Sequence, residues 1–172
     1  FLGGIPDPII PGYETINGSL GHGVGVGSGI ALALNKKGKT QKVFVLTGDG
    51  ELHEGSNWEA FMFAAQHKLA NLIVLVDNNQ ISMLGPTDKI VSHRNLQEKM
   101  ISFGWECITV LDGHSHIDTY KAINKIKKLK IKKPKMIIFN TNKGNQVPGL
   151  ENAPLSHVTA IKSDLIDSLI KK

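Results

Sequence analysis

Val43-Phe44-Val45-Leu46-Thr47-Gly48-Asp49-Gly50 sets a short apolar run directly before Gly-Asp-Gly, and Leu72-Ile73-Val74-Leu75-Val76 ends in the same manner on Asp77-Asn78-Asn79. Both runs have the unbroken apolar character of strands buried on two faces of a parallel sheet. Between them, Glu54 to Lys68 has the length and period of a crossover helix. A right-handed strand-helix-strand unit brings Asp49 and Asn79 together at the carboxyl ends of neighbouring strands. Each offers a hard oxygen, the donor a magnesium ion takes while drawing its other ligands from phosphate and water. Gly50 allows close backbone approach, and its amide is predicted to open a helix whose N-terminus holds anionic oxygen. The pattern predicts a diphosphate bridged to protein by a divalent cation.

Outward from this unit, strands and helices alternate. Phe1 to Asn17, rich in Pro and Gly, reads as an irregular segment laid over a sheet. Ser19 or Asn17 is predicted to cap a helix through Ile30-Ala31-Leu32-Ala33-Leu34 that stops at Gly38. Asn79 to Arg94 reads as a long loop. Leu96 to Phe103 reads as a helix, Trp105 to Leu111 as a strand, Ile117 to Leu129 as a helix and Met136 to Asn140 as a strand, with helical spacing again from Val158 to Ile170. The fold class is therefore α/β, an open doubly wound parallel sheet with helices on both faces, in one domain spanning residues 1–172. Ligands of such sheets bind outside the carboxyl ends of the strands, where Asp49, Asn79 and the segment after Asn140 converge.

The chain has 172 residues, 41% of them hydrophobic, which suffices for one domain with a core. No stretch is apolar for long enough to span a bilayer and no charged-then-apolar leader is seen, so the expected location is cytoplasmic, with no membrane partner. The lone Cys107, inside the apolar run Trp105 to Leu111, is read as a buried structural thiol. The net charge of +5 is concentrated in Lys121, Lys125, Lys127, Lys128, Lys130, Lys132, Lys133 and Lys135. Without interleaved aromatics or a known module, these read as a solvated helix face and loop, and no nucleic-acid partner is expected.

Several motifs are set aside. The run Gly18, Gly21, Gly23, Gly25, Gly27 and Gly29 has no strict dinucleotide register and no strand before it. It instead permits close packing of a helix or cofactor. Gly38-Lys39-Thr40 resembles the end of a phosphate-binding loop, but it runs from helix to strand and has Ala33 where a glycine is required. Asn17-Gly18-Ser19 is formally a glycosylation sequon. Asp49 also suits a helix cap, but the partner Asn79 favours metal. Glu54 and Glu59 suit the start of a helix; Trp58 and Phe61 to Phe63 read as packing; His67, His93, His114 and His116 read as surface or loop residues.

Gly18-Ser19-Leu20-Gly21, Gly48-Asp49-Gly50-Glu51-Leu52-His53-Glu54-Gly55, Asp77-Asn78-Asn79-Gln80-Ile81, Lys143-Gly144 and Glu151 to His157 together resemble, in order and spacing, the transketolase family and its amino-terminal, thiamine diphosphate-binding half, which in split enzymes is a separate subunit. The resemblance implies the cofactor thiamine diphosphate with Mg2+, or Ca2+ or Mn2+ in its place, the ion being held by Asp49, the side chain of Asn79 and the backbone carbonyl of Ile81. It implies cofactor contacts from Gly18, Ser19, Leu20, Gly48, Asp49, Gly50, Glu51, Asn79, Ile81 and His157, with His157 and His22 as catalytic candidates. It places Glu54 and Glu59 toward a subunit interface.

The implied activity is transfer of a two-carbon ketol unit from a ketose phosphate to an aldose. The implied partner is a carboxy-terminal subunit carrying the pyrimidine-binding domain, in a heterotetramer, without which this chain is inactive. A further helical segment, carrying another histidine, is expected before Phe1. The family's Gly-His-Pro is Gly4-Ile5-Pro6 here, which removes a partner for the donor's hydroxyls. The alternatives are a thiamine diphosphate enzyme acting on a 2-oxo acid, or a non-catalytic thiamine diphosphate-binding module.

Overall fold

The computed structural model describes Ile5, residues 7–16 and residues 18–170. Its strands are Val43–Gly48 (β1), Leu72–Asn78 (β2), Ile81–Ser82 (β3), Gly85–Pro86 (β4), Glu106–Val110 (β5) and Lys135–Asn140 (β6). Its α-helices are Gly23–Lys36 (α1), Gly55–Gln66 (α2), Thr87–Ile90 (α3), Leu96–Ser102 (α4), His116–Lys128 (α5) and Ser163–Ile170 (α6). The main sheet runs β1-β2-β6-β5, every pair parallel. Gly48 lies level with Asp77, and Asn78 with Asn140, so the polar residues that end the strands share one edge.

Alternation along the strands divides the core. Val45, Val74, Val76, Cys107, Met136 and Ile138 face α1, α2 and α4, whose Ala31, Phe61 and Met100 are fully buried against them. Ile73, Val110, Ile137 and Phe139 face α5 through Ala122 and Ile126. Trp105 bridges elements by donating its indole N–H to the carbonyl of Phe61 at 2.9 Å, which satisfies a polar group on a side chain 1% exposed. The second face is incompletely covered: Phe44 and Leu46 of β1 are 45% and 73% exposed among the described residues.

The glycine run acts in packing. A Cβ at Gly27 would lie 2.4 Å from Val45 Cγ2, so only glycine lets α1 sit this close to β1. The expected cap is corrected. The helix starts at Gly23 with His22 at the N-cap position and no side-chain cap bond, because Gly18 and Gly21 take φ of +125° and +83° and keep the chain out of the helix until then. Asn17, the other proposed cap, lies outside the described residues, as do Gly4 and Pro6 of the departing segment. The expected loop 79–94 contains the β3–β4 hairpin and the single turn α3. Phe61 packs in the core, whereas Met62 and Phe63 are exposed at 55% and 40%.

Cys107 is buried, and burial first, then the charge of Glu106, pushes its thiol from 9.0 up to about 12. The sign follows: an acid whose pKa is raised by folding costs nothing below 9.0, and it weakens the fold as pH rises from there toward 12. The folded protein is expected to resist maleimide labelling at pH 8, with reaction appearing only in denaturant. Rapid labelling of the native protein would show that the thiol is accessible.

Candidate functional site

The strand ends are stitched together by their own polar groups. The Asp49 amide donates to the Asp77 carbonyl at 3.0 Å, and Asn78 donates through its side chain to the Asn140 side chain at 2.8 Å. Asp77 accepts from the Thr141 hydroxyl and, at 3.2 Å, from the Asn79 amide group. Three strands therefore deliver Asp49, Asp77 and Thr141 to one place.

Asp49 is 1% exposed. One carboxylate oxygen accepts from the Gly50 amide at 2.8 Å and the other from the Gln80 amide at 2.5 Å. Cap and site residue thus coincide: Asp49 caps the short 3-10 turn Gly50–His53 while its carboxylate lies in the cleft wall. Burial raises its carboxyl above the ordinary 3.8, and neighbouring Asp77 adds to this, against the lowering effect of the two amides. Among the described residues the one ion pair is Lys89 with Asp88, so neither Asp49 nor Asp77 has a side-chain cation in contact. A buried carboxylate with a second carboxylate beside it and no contacting cation fits a divalent ion. No group of three His, Cys, Asp or Glu suited to a metal occurs among the described residues. A donor set of one carboxylate, one amide oxygen and one carbonyl would leave half of an octahedral coordination sphere to phosphate and water oxygen, which suits magnesium.

These residues line an open cleft of about 1220 Å3 at the carboxyl edge of the sheet. Of the residues singled out in the sequence, Gly18, Leu20, Gly48, Asp49, Gly50, Glu51, Asn79, Ile81 and His157 line it. Ser19 and His22 do not. His22 is turned to the Leu20 carbonyl, 2.9 Å from Nδ1. Glu51 acts on the wall itself, accepting from the Gly21 amide at 3.0 Å, and Ser56 donates to the Gly21 carbonyl at 2.8 Å. The Gly50 amide is occupied by Asp49, and α2 begins only at Gly55, so the expected free helix N-terminus at Gly50 is corrected to a 3-10 turn. A Cβ at Gly50 would lie 2.9 Å from Ser82 Cβ, so the β3–β4 hairpin can close on the Gly-Asp-Gly turn only if that residue is glycine. Asn79 places its side-chain oxygen on the Ile81 amide at 3.0 Å, which shapes the turn into β3.

Three further residues at the site carry no clear mark in the sequence. His93 lies part-buried with its Nε2 2.8 Å from the Asp49 carbonyl and its ring 4.8 Å from that of His53. Burial lowers its pKa below 6.5 against the pull of that carbonyl, and the charges of His53 and Lys99 lower it further. His114 lines the cleft, and its Nε2 accepts from the Asn142 amide at 2.8 Å, tying the turn after β5 to the segment after β6. Thr141 has no sequence signal beyond its position one residue past a strand end.

The segment after β6 folds over the cleft because Gly144, at φ +68°, lets the chain reverse where a Cβ would meet the Leu150 carbonyl at 2.4 Å. The Asn152 amide closes the loop on the Lys143 carbonyl at 2.8 Å. Lys143 donates to the Pro154 carbonyl at 2.6 Å, and burial lowers its pKa against the attraction of Asp49 and Asp77. His157 follows on the exposed lip.

Residues 3–172 match the family model described as transketolase, thiamine diphosphate binding domain. The chain is 40% identical over 164 residues to one subunit of the apulose-4-phosphate transketolase of Actinobacillus succinogenes, covering 94% of this chain and 58% of that protein. To 6-deoxy-6-sulfo-D-fructose transketolase subunit SqwG of a Clostridium species it is 35% identical, over 85% of this chain and 52% of that protein. It therefore spans little more than half the length of these relatives. The crystal structure of transketolase from Campylobacter jejuni superposes with a TM-score of 0.86 at 30% identity, over 96% of this chain and 27% of that one. A parallel α/β sheet with this cleft at its carboxyl edge, matched by the family model over residues 3–172, establishes that the chain belongs to the transketolase family through its thiamine diphosphate-binding domain.

Proposed function

We propose that residues 1–172 form a single diphosphate-binding domain of a two-subunit, cytoplasmic transketolase that moves a two-carbon ketol unit from a ketose phosphate to an aldose. One observation carries most weight: Asp49, Asp77, Asn79, Ile81 and the loop bearing Lys143 and His157 open on one cleft whose buried carboxylate has no side-chain cation in contact with it among the described residues. In this assignment Asp49, the Asn79 side-chain oxygen and the Ile81 carbonyl hold magnesium, or calcium or manganese in its place. Gly18, Leu20, Gly48, Gly50 and Glu51 form the wall for the diphosphate, and Ser19 does not line the cleft. When bound, thiamine diphosphate supplies a nucleophilic carbon and an electron sink for breaking a carbon–carbon bond beside a carbonyl. The chain's own task is to fix the cofactor by its charged end and to place His157 where a proton can be given to or taken from a substrate oxygen, while His22, turned to the Leu20 carbonyl, has no such role.

A partner protein is supported by the apolar rim. Leu20, Leu46, Met83 and Leu84 line the cleft and are all more than half exposed, an arrangement that suits a second protein surface closing the site. The relatives from Actinobacillus and Clostridium are themselves named as subunits, and this supports a complementary chain with the pyrimidine-binding domain, the two forming a heterotetramer. The lone buried Cys107 suits a reducing compartment, and among the described residues no helix is long and apolar enough to cross a membrane. Ile5 supports a donor unlike the ordinary ketose phosphates. It is 55% exposed, and its Cδ1 lies 3.4 Å from where a Cβ of Gly18 would stand, so an apolar group borders the cleft where the family has histidine.

The full-length chain, mixed with its partner, thiamine diphosphate and magnesium, is expected to transfer a ketol unit between sugars, and neither protein is expected to do so alone. Carbon dioxide release from pyruvate without ketose cleavage would establish the 2-oxo acid alternative. Cofactor binding without transfer from a panel of ketose phosphates would establish a binding module.

A further inference from the structure

The opposite edge of the sheet carries a second concavity. At the amino-terminal ends of β1, β2 and β6 a hollow of about 590 Å3 is lined by Lys39, Lys42, Lys127, Lys128, Lys130 and Lys135, with Asn35, Thr40 and Asn71 between them, and no acidic side chain lines it. The sequence alone reads the lysines after Lys121 as a solvated face, and the fold corrects this in two ways. First, it brings Lys39 and Lys42, from the connection before β1, to the same hollow as the lysines at and after the end of α5. Second, it buries Lys135, which is 1% exposed and donates one hydrogen bond, at 2.7 Å, to the Ala70 carbonyl.

Helix ends explain only part of this charge. Lys127 and Lys128 lie in the last turn of α5, where cations suit the helix dipole. Lys39, Lys42, Lys130 and Lys135 lie outside every helix. None of the six forms an ion pair, the pair Lys89 with Asp88 being the only one among the described residues. Like charges brought into one hollow repel, and that repulsion is relieved by a bound anion. Lys135 bears the cost already: burial, followed by the charge of Lys42, lowers its pKa below 10.5, against the opposing pull of Glu106. The volume falls in the range of small-ligand sites, roughly 300–1,000 Å3. The shape is a concavity built from three separate chain segments, rather than the extended stripe that a nucleic-acid backbone follows.

We infer that this hollow binds a small, multiply charged phosphate compound from solution, at the edge of the sheet opposite the thiamine diphosphate cleft. Cyclic trimetaphosphate, a compact trianion that chelates magnesium weakly, is a suitable probe. Calorimetric titration of the full-length protein, with thiamine diphosphate and magnesium in excess so that the cofactor cleft is filled, is expected to give saturable binding. The double variant Lys39→Glu/Lys42→Glu, and separately Lys130→Glu, are expected to weaken it about tenfold or more, the loss of a charge-assisted hydrogen bond. The double variant Lys121→Glu/Lys162→Glu makes the same charge change on exposed lysines outside the hollow and is expected to leave affinity unchanged. Equal weakening by both double variants would reduce the effect to net charge and overturn the inference. Absence of saturable binding to the wild type would do the same, as would binding confined to anionic vesicles or RNA. Circular dichroism of each variant separates lost binding from lost fold.

Discussion

Asp49→Ala is expected to remove magnesium-dependent affinity for thiamine diphosphate, weakening it about 100-fold or more, because loss of residues that merely orient a metal ligand already costs roughly 10–100-fold. Asp49 supplies the one carboxylate in the proposed donor set, and it is buried with a second carboxylate near it. The diagnostic result lies in the response to chelator. Wild-type affinity, measured by calorimetry, should collapse when magnesium is withdrawn, whereas the variant's residual affinity should be indifferent to it. The substitution also strands the amides of Gly50 and Gln80, which donate to Asp49 at 2.8 and 2.5 Å. Both bonds are part-buried, and losing each costs roughly 1 kcal/mol, so the variant should also melt earlier. Chelator response measured on folded protein keeps the two effects apart: a variant that melts early yet still binds cofactor in a magnesium-dependent way would confine Asp49 to a structural role.

How far the sequence carries depends on whether a feature is local in the chain. The apolar runs ending at Gly48 and Val76 state their strands and their shared edge, because neither run carries a charged position to mislead; burial on both faces holds for β2, whereas the expectation fails for β1, whose Phe44 and Leu46 are exposed. Asp49 and Asn79 are legible because each follows such a run closely. The helix start at Gly23 is not legible. Ser19 looks like a cap, and only the positive φ of Gly18 and Gly21 delays the helix. His93 and His114 escape for a different reason. Each acts through a backbone group distant in sequence, the Asp49 carbonyl and the Asn142 amide, and nothing local marks such a pairing. The same holds for Lys135, which reads as one lysine among several until the sheet register sets it opposite Ile73 and Glu106 and buries it. Composition describes how much charge a segment holds, and topology decides where it gathers.

His157→Ala is expected to lower kcat of the assembled two-subunit enzyme about 100-fold, the lower end of what a positioned acid–base group contributes. His157 reaches the cleft through a loop that Gly144 reverses and Asn152 closes, while Lys143 is held on Pro154 at the base of the same loop. The residue is exposed on the lip and is not required for the fold, so the variant should keep the wild-type melting temperature. A proton-transfer role predicts a selective loss: kcat falls while cofactor affinity changes by less than about tenfold. His157→Gln keeps a hydrogen-bond donor of similar reach without a titrating proton, and should behave like the alanine variant in kcat while restoring whatever cofactor affinity was lost. The opposite pattern, unchanged kcat at saturating cofactor with affinity reduced in alanine and recovered in glutamine, would make His157 a ligand of the diphosphate alone. Proton traffic at the substrate oxygen would then pass to the partner protein, since His22 is turned away from the cleft toward the Leu20 carbonyl.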